Sequence, residues 1–174
     1  FKHAAQETMK SVKGGAGAPA ALPGQNPTAT GSTSGLPDST VNAGAQEVQG
    51  QVVKVADGDT ITLKKTDGQT IRIRFLGIDA PEHDQAGGPA SKAHLESLVS
   101  GRNVTVRYRN LDQYGRTVGK VLVDGKDVNL SQLQTGNAWF YRSYQKSMFP
   151  EDRPIYEAAE EKARSERVGL WSES

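Results

Sequence analysis

Thr70-Ile71-Arg72-Ile73-Arg74-Phe75-Leu76-Gly77-Ile78-Asp79-Ala80-Pro81-Glu82 joins two patterns that do not run smoothly into each other. Through Phe75, Ile71, Ile73 and Phe75 alternate with Arg72 and Arg74, the period-two mark of a half-buried strand. Beyond it, Asp79 and Glu82 flank Pro81, which stiffens the loop between them. Arg74 and Asp79 stand five residues apart. Along a straight strand that is roughly 16 Å, with the side chains on opposite faces. For both to serve one site the strand must bend or bulge between them, and a strand glycine often marks such an irregularity. The spacing predicts one near Gly77.

Reading outward, Gln51–Ala56 and Thr60–Lys65 are short runs rich in Val, Ile and Thr, predicted strands. Asp67-Gly68 between the second and third runs is a hairpin signal. Asn103–Arg109 and Arg116–Val123 are predicted as two further strands, the latter ended by Asp124-Gly125. Pro89 opens a predicted helix near Ala90–Val99, stopped by Gly101. Asn129 is placed to cap a short helix carrying Leu130 and Leu133 and ending at Gly136. A third helix is predicted from about Asp152 to Arg167, with Pro154 in its first turn. Five strands and three helices predict a mainly β, α+β domain. Its expected architecture is a five-stranded Greek-key barrel of the oligonucleotide/oligosaccharide-binding (OB) type.

Residues 1–49 differ from the rest. Ala, Gly, Thr, Ser and Pro make up more than half of this stretch, with no period of 2 or 3.6. Such a segment buries too little surface to offset its ordering entropy, so it is predicted as a flexible low-complexity tail before a domain at 50–174. In the whole chain of 174 residues, 21 Lys+Arg against 20 Asp+Glu leave a formal charge of +1. That balance argues against a histone-like protein bound through bulk charge. With no cysteine, disulfides, Cys-ligated zinc, iron–sulfur clusters and thiol nucleophiles are excluded. No apolar run approaches the roughly 20 residues of a membrane span.

Three clusters sit at predicted strand ends, where a rigid scaffold best presents functional groups. They are Asp57-Gly-Asp59-Thr60, Arg74-Phe-Leu-Gly-Ile-Asp79-Ala-Pro-Glu82 and Asp112-Gln-Tyr-Gly-Arg116. Asp59, Asp79 and Glu82 could supply hard oxygen ligands for Ca²⁺, although Asp57-Gly58-Asp59 alone is equally ordinary turn chemistry. It is no EF-hand loop, because Ile61 and Thr62 fall where that loop needs Asp/Asn and Gly. Arg74 and Arg116 near a carboxylate-bound cation would form a clamp whose planar forks match phosphate oxygens. Two arginines on one strand, Arg72 and Arg74, are also what a solvated face looks like. His83 and His94 read as structural or solvent residues. Trp139, Phe140 and Tyr141 read as core and cleft wall, and Tyr144 could stack on a base.

Taken together, these clusters, with Val128-Asn129-x₆-Gly136-x-Ala138 and Gly169-Leu-Trp171, resemble the thermonuclease family, the staphylococcal nuclease-like proteins. The resemblance covers about residues 50–172. It implies a five-stranded barrel with three helices and Ca²⁺-dependent cleavage of DNA and RNA at the 5′ P–O bond, leaving 3′-phosphates. Carried over by motif, Asp59 and Asp79 match the calcium-binding carboxylates and Ala80 the position that offers its backbone carbonyl. Glu82 matches the glutamate proposed to activate water, Arg74 and Arg116 the catalytic arginines, and Tyr114 and Tyr144 the tyrosines lining the nucleotide site. Departures are Arg142 where the staphylococcal pattern has Tyr, Gln113 where it has Lys, and a short, lysine-free loop at His83–Gly88.

The expected protein is thus a monomeric Ca²⁺-dependent nuclease acting on DNA and RNA, with single strands preferred and no membrane span. Family habit, the calcium requirement and the linker composition add an expectation of export: secreted, periplasmic or envelope-associated. Two other classes stay open, a noncatalytic nucleic-acid-binding barrel and a protein-binding adaptor.

Overall fold

The computed structural model describes residues 35–111 and 114–173, without the side chains of Asn110, Tyr144, Gln145 and Glu173. Residues 1–34 of the expected tail, with Asp112 and Gln113, lie outside the described residues.

The barrel is made of β1 (Gln46–Asp57), β2 (Thr60–Lys65), β3 (Thr70–Phe75), β5 (Asn103–Leu111) and β6 (Thr117–Val123). β4 (Ile78–Asp79) and β8 (Trp139–Phe140) form a separate two-stranded ribbon, and β7 (Lys126–Asp127) lengthens the β6 edge. In the main sheet the order is β3-β2-β1-β5-β6-β7, with neighbours antiparallel, and a parallel β3–β6 pairing closes it. The expected OB-type barrel is therefore present, closed through a parallel contact. β1 shifts register between Val52 and Lys54 and again between Val55 and Asp57. Such bulges add the bend that closure requires. Ile61, Leu63, Ile73, Phe75, Val106 and Val121 fill the interior and are almost inaccessible to water.

The three helices are α1 (Gly88–Val99), α2 (Val128–Gln134) and α3 (Arg153–Glu166). Ser91, Leu95 and Val99 form the buried face of α1, and Tyr156, Ala159, Glu160 and Ala163 that of α3, the i, i+3, i+4, i+7 stripe expected of packed helices. Among the described residues, no helix is long and apolar enough to cross a membrane.

Two sequence expectations change. The cap of α2 is Asp127, whose carboxylate accepts from the Leu130 N–H at 2.9 Å. Asn129, expected there, lies inside the helix and is fully buried. It accepts from the Val121 N–H and donates to the Leu76 and Gly119 carbonyls. Both residue types cap helices equally well, so local sequence does not choose between them; the backbone groups awaiting a partner inside the barrel do. The composition boundary at Gly50 falls inside β1, and Pro37–Ser174 form one compact unit. Small polar residues such as Thr40 and Asn42 lower the apparent core content of this stretch while hydrogen-bonding to buried charged groups.

Candidate active site

The chain turns sharply where β3 stops. Leu76 and Gly77 form a turn, and Gly77 has φ 83°, a left-handed conformation open to glycine at little cost. A Cβ there would also lie 2.9 Å from Met148. The turn's backbone is tied on several sides: Leu76 N–H to the Gly119 carbonyl at 2.8 Å, Leu76 carbonyl to Asn129 at 2.9 Å, and Gly77 carbonyl to the Tyr141 N–H at 2.9 Å. β4 then pairs with β8, setting Asp79 opposite Trp139. The irregularity expected near Gly77 is there, and it brings Arg74 and Asp79 to the same place.

Arg72 stays in solvent, whereas Arg74 is buried, against the simple alternation of its strand. Its guanidinium curls over the turn. Nη1 donates to the carbonyls of Phe75 at 2.9 Å and Ile78 at 2.8 Å, and Nη2 donates to Asp79 Oδ1 at 3.3 Å. Nη1 also lies 3.5 Å from Asp59 Oδ2. The Tyr141 ring sits below, its centroid 5.8 Å from the guanidinium carbon, within range for cation–π attraction.

Asp59 follows β1 in a tight turn and is buried. Its Oδ1 accepts from the Thr60 hydroxyl and its Oδ2 from the Ala80 N–H, both at 2.8 Å. Two carboxylates from distant parts of the chain thus share one arginine. Burial pushes the Asp79 carboxyl above the usual carboxylate range. Arg74 pulls it down, and the charge and hydrogen bond of Asp59 push it up again.

Glu82 is exposed, just past Pro81. Its N–H donates to Gln85 Oε1 at 2.8 Å, and the next N–H, of His83, donates to Asp57 Oδ1 at 2.8 Å. The loop bearing Glu82 is therefore fastened to the Asp57–Asp59 turn. Arg116 precedes β6, whose Val118 is the cross-strand partner of Arg74. It stacks on Tyr114, 5.6 Å from guanidinium carbon to ring centroid, and Tyr114 is strongly exposed. Tyr144 belongs to a 3₁₀ segment, Arg142–Ser147; its side chain lies outside the described residues.

Asp59, Arg74, Asp79 and Ala80 are thus brought together, with Glu82 on the adjoining loop and Arg116 just before the neighbouring strand β6. Sequence reasoning named Tyr141 as core and cleft wall without placing it beneath Arg74, gave Asn129 the wrong role, and missed Gln132, which donates to the Gly58 carbonyl at 2.8 Å. Their signal was weak: an Asn and a Gln in a short helix, and an aromatic residue in a run of aromatics that serves core and cleft wall alike.

A family model described as staphylococcal nuclease homologue matches residues 72–173. The chain belongs to the staphylococcal nuclease family. Relatives of the family agree. An uncharacterised endonuclease of Escherichia coli is 39% identical over 129 residues, covering 74% of this chain and 80% of the relative. A micrococcal nuclease of Shigella flexneri is 39% identical over 136 residues, covering 73% and 75%. An uncharacterised endonuclease of Haemophilus influenzae is 37% identical over 124 residues, covering 71% and 66%. Membership in the staphylococcal nuclease family supports nuclease activity, and with it nucleic acid as the substrate class.

Proposed function

We propose that this chain is a Ca²⁺-dependent nuclease that hydrolyses phosphodiester bonds of DNA and RNA with little sequence specificity. It would cut at the 5′ P–O bond and leave 3′-phosphates. The observation that carries the reading is the meeting of Asp59 and Asp79 at one buried arginine across the Gly77 turn.

The donor set fits a hard divalent cation. Asp59 and Asp79 are close enough to interact directly, and Asp79 is held above its ordinary titration range, which a further positive charge beside it would reverse. Among the described residues no group of three or more His, Asp or Glu side chains converges. The Ala80 carbonyl and water would therefore complete the shell, as is usual for Ca²⁺. Such a site is expected to be weak and suited to compartments with millimolar Ca²⁺, which favours export. Bound there, the ion would polarise a phosphoryl oxygen.

The chain's own residues supply the rest. The Arg74 guanidinium is fixed by the Phe75 and Ile78 carbonyls, so it is oriented before any phosphate arrives. Arg116 offers a second fork to the same phosphate. Together the two arginines would oppose the charge that grows in the pentacoordinate transition state. Glu82, in its fastened loop, would orient or deprotonate the attacking water. Tyr114 offers a ring face to a base or sugar.

Digestion of single-stranded DNA and of RNA, with Ca²⁺ and with chelator, tests this reading, followed by end-group analysis of the products. Cleavage restored by Ca²⁺, with 3′-phosphate ends, is expected. Cleavage that ignores chelator overturns the metal requirement. Binding of nucleic acid without cleavage would identify a noncatalytic barrel.

A further inference from the structure

We propose that Gln132 is a positioning residue for Asp59. As far as it concerns catalysis, this rests on the nuclease reading above. Gln132 lies in α2 and is fully buried. Its Nε2 donates to the Gly58 carbonyl at 2.8 Å, and its Oε1 lies 2.7 Å from His94 Nδ1. A carbonyl only accepts, so the amide nitrogen must face Gly58. The amide oxygen then faces His94, whose Nδ1 carries the proton. One side chain thus links α1, α2 and the residue immediately before Asp59.

A second contact closes on the same turn. Ser91, in α1, donates from Oγ to the Asn137 carbonyl at 2.6 Å, and the Asn137 N–H donates to the Gln132 carbonyl at 2.8 Å. A Cβ at Gly58 would lie 1.8 Å from Ser91 Oγ. Gly58 is therefore gripped by a hydrogen bond on its carbonyl and by close packing at its α-carbon. Asp59 takes its aim from that grip, with Oδ2 on the Ala80 N–H and beside Arg74. An apolar side chain would fill the volume of Gln132, but it would offer the Gly58 carbonyl no donor. A buried polar link that is satisfied at both ends holds one geometry.

The test uses Gln132→Met, which keeps length and volume, and His94→Ala, which frees only the outer end of the link. Amide hydrogen exchange in the chain without metal reports the grip directly. Ala80 N–H, which donates to Asp59 Oδ2, and Phe75 N–H, which donates to the Asp59 carbonyl, should exchange about tenfold faster in Gln132→Met, with the barrel amide of Val121 unchanged. Calorimetric titration with Ca²⁺ alone should show about tenfold weaker binding. On single-stranded DNA, kcat should fall about tenfold with KM within about twofold. His94→Ala should move all three the same way by less, and it decides the matter if Gln132→Met does not fold.

Unchanged exchange at Ala80 overturns the proposal. So does faster exchange with wild-type Ca²⁺ affinity and kcat, which would leave Gln132 a purely structural residue. Faster exchange at Ala80, in a protein whose wild type neither binds Ca²⁺ nor cleaves nucleic acid, overturns the nuclease reading and supports the link from Gln132 to Asp59.

Discussion

Arg74 and Arg116 are both arginines of the expected clamp, but they stand in different surroundings, and substitution should separate them. Arg74 is buried against two carbonyls and two carboxylates. Removing it strands Asp59, which is itself buried. Loss of one partner from a buried ion pair costs about 3–5 kcal/mol. Arg116 is partly exposed beside Tyr114, where a charge adds roughly 0–1 kcal/mol to stability. Both Arg74→Ala and Arg116→Ala should lower kcat by about 10²–10³ or more. Only Arg74→Ala should lose several kcal/mol in urea unfolding. Equal stability losses, or turnover near wild type in either variant, would break this division. The sequence pattern could not show it. Alternation puts Arg72 and Arg74 on one face, and the curl of Arg74 over the next turn depends on carbonyls that only the turn exposes.

Two connections decide where the site sits. At the first, Gly77, the turn between β3 and β4 was legible because two candidate site residues at the wrong spacing demanded a break and a glycine stood between them. Gly77→Ala should cost roughly 1–3 kcal/mol, for the φ of 83° and the contact with Met148. It should also lower kcat, because Asp79 follows two residues later. Unfolding and kinetics on the same variant check both effects. At the second, β7 to α2, pattern did not decide, since Asp127 and Asn129 compete for one cap and the barrel interior assigns them. Asp127 is fully buried and accepts from Leu130 N–H and from the Tyr156 hydroxyl. Burial raises its carboxyl to about 6, against the pull of Lys120 and these hydrogen bonds. The folded state therefore holds this proton more tightly than the unfolded chain. Its contribution to stability is full below about pH 4, declines as pH rises to about 6 and is level above, a change of about 3 kcal/mol. Asp127→Asn has no such proton. Its stability relative to wild type should climb between pH 4 and pH 6.5 in urea titrations, and a flat difference would show that Asp127 does not titrate there.

Across the whole molecule, barrel and helices were legible because their periodicities and turn residues are local. The extent of the domain was not. Composition places its start at Gly50, but Thr40 and Asn42 reach the buried pair Lys120–Asp152, which is 2.9 Å apart. The Thr40 hydroxyl donates to Asp152 Oδ1 and accepts from Lys120 at 3.1 Å. Asn42 donates to Asp152 Oδ2 at 3.4 Å and accepts from Arg107 at 3.2 Å. Gln46–Gln49 add four register positions to the β1–β5 ladder. Burying Lys120 and Asp152 is favourable only while their remaining hydrogen-bonding positions are met, and residues before Gly50 meet several of them. A chain cut to begin at Gly35 keeps every described residue, the buried Leu36 included, and sets the reference melting temperature. One cut to begin at Gly50 should melt more than about 10 °C lower. Thr40→Val in the full chain should fall between them, because it removes the hydroxyl between Lys120 and Asp152 while leaving the strand pairing of Gln46–Gln49 in place. Equal melting of the two truncations would return the boundary to Gly50 and make residues 35–49 dispensable. An ordered difference across the three would instead establish that a stretch with the composition of a linker completes the polar part of the core.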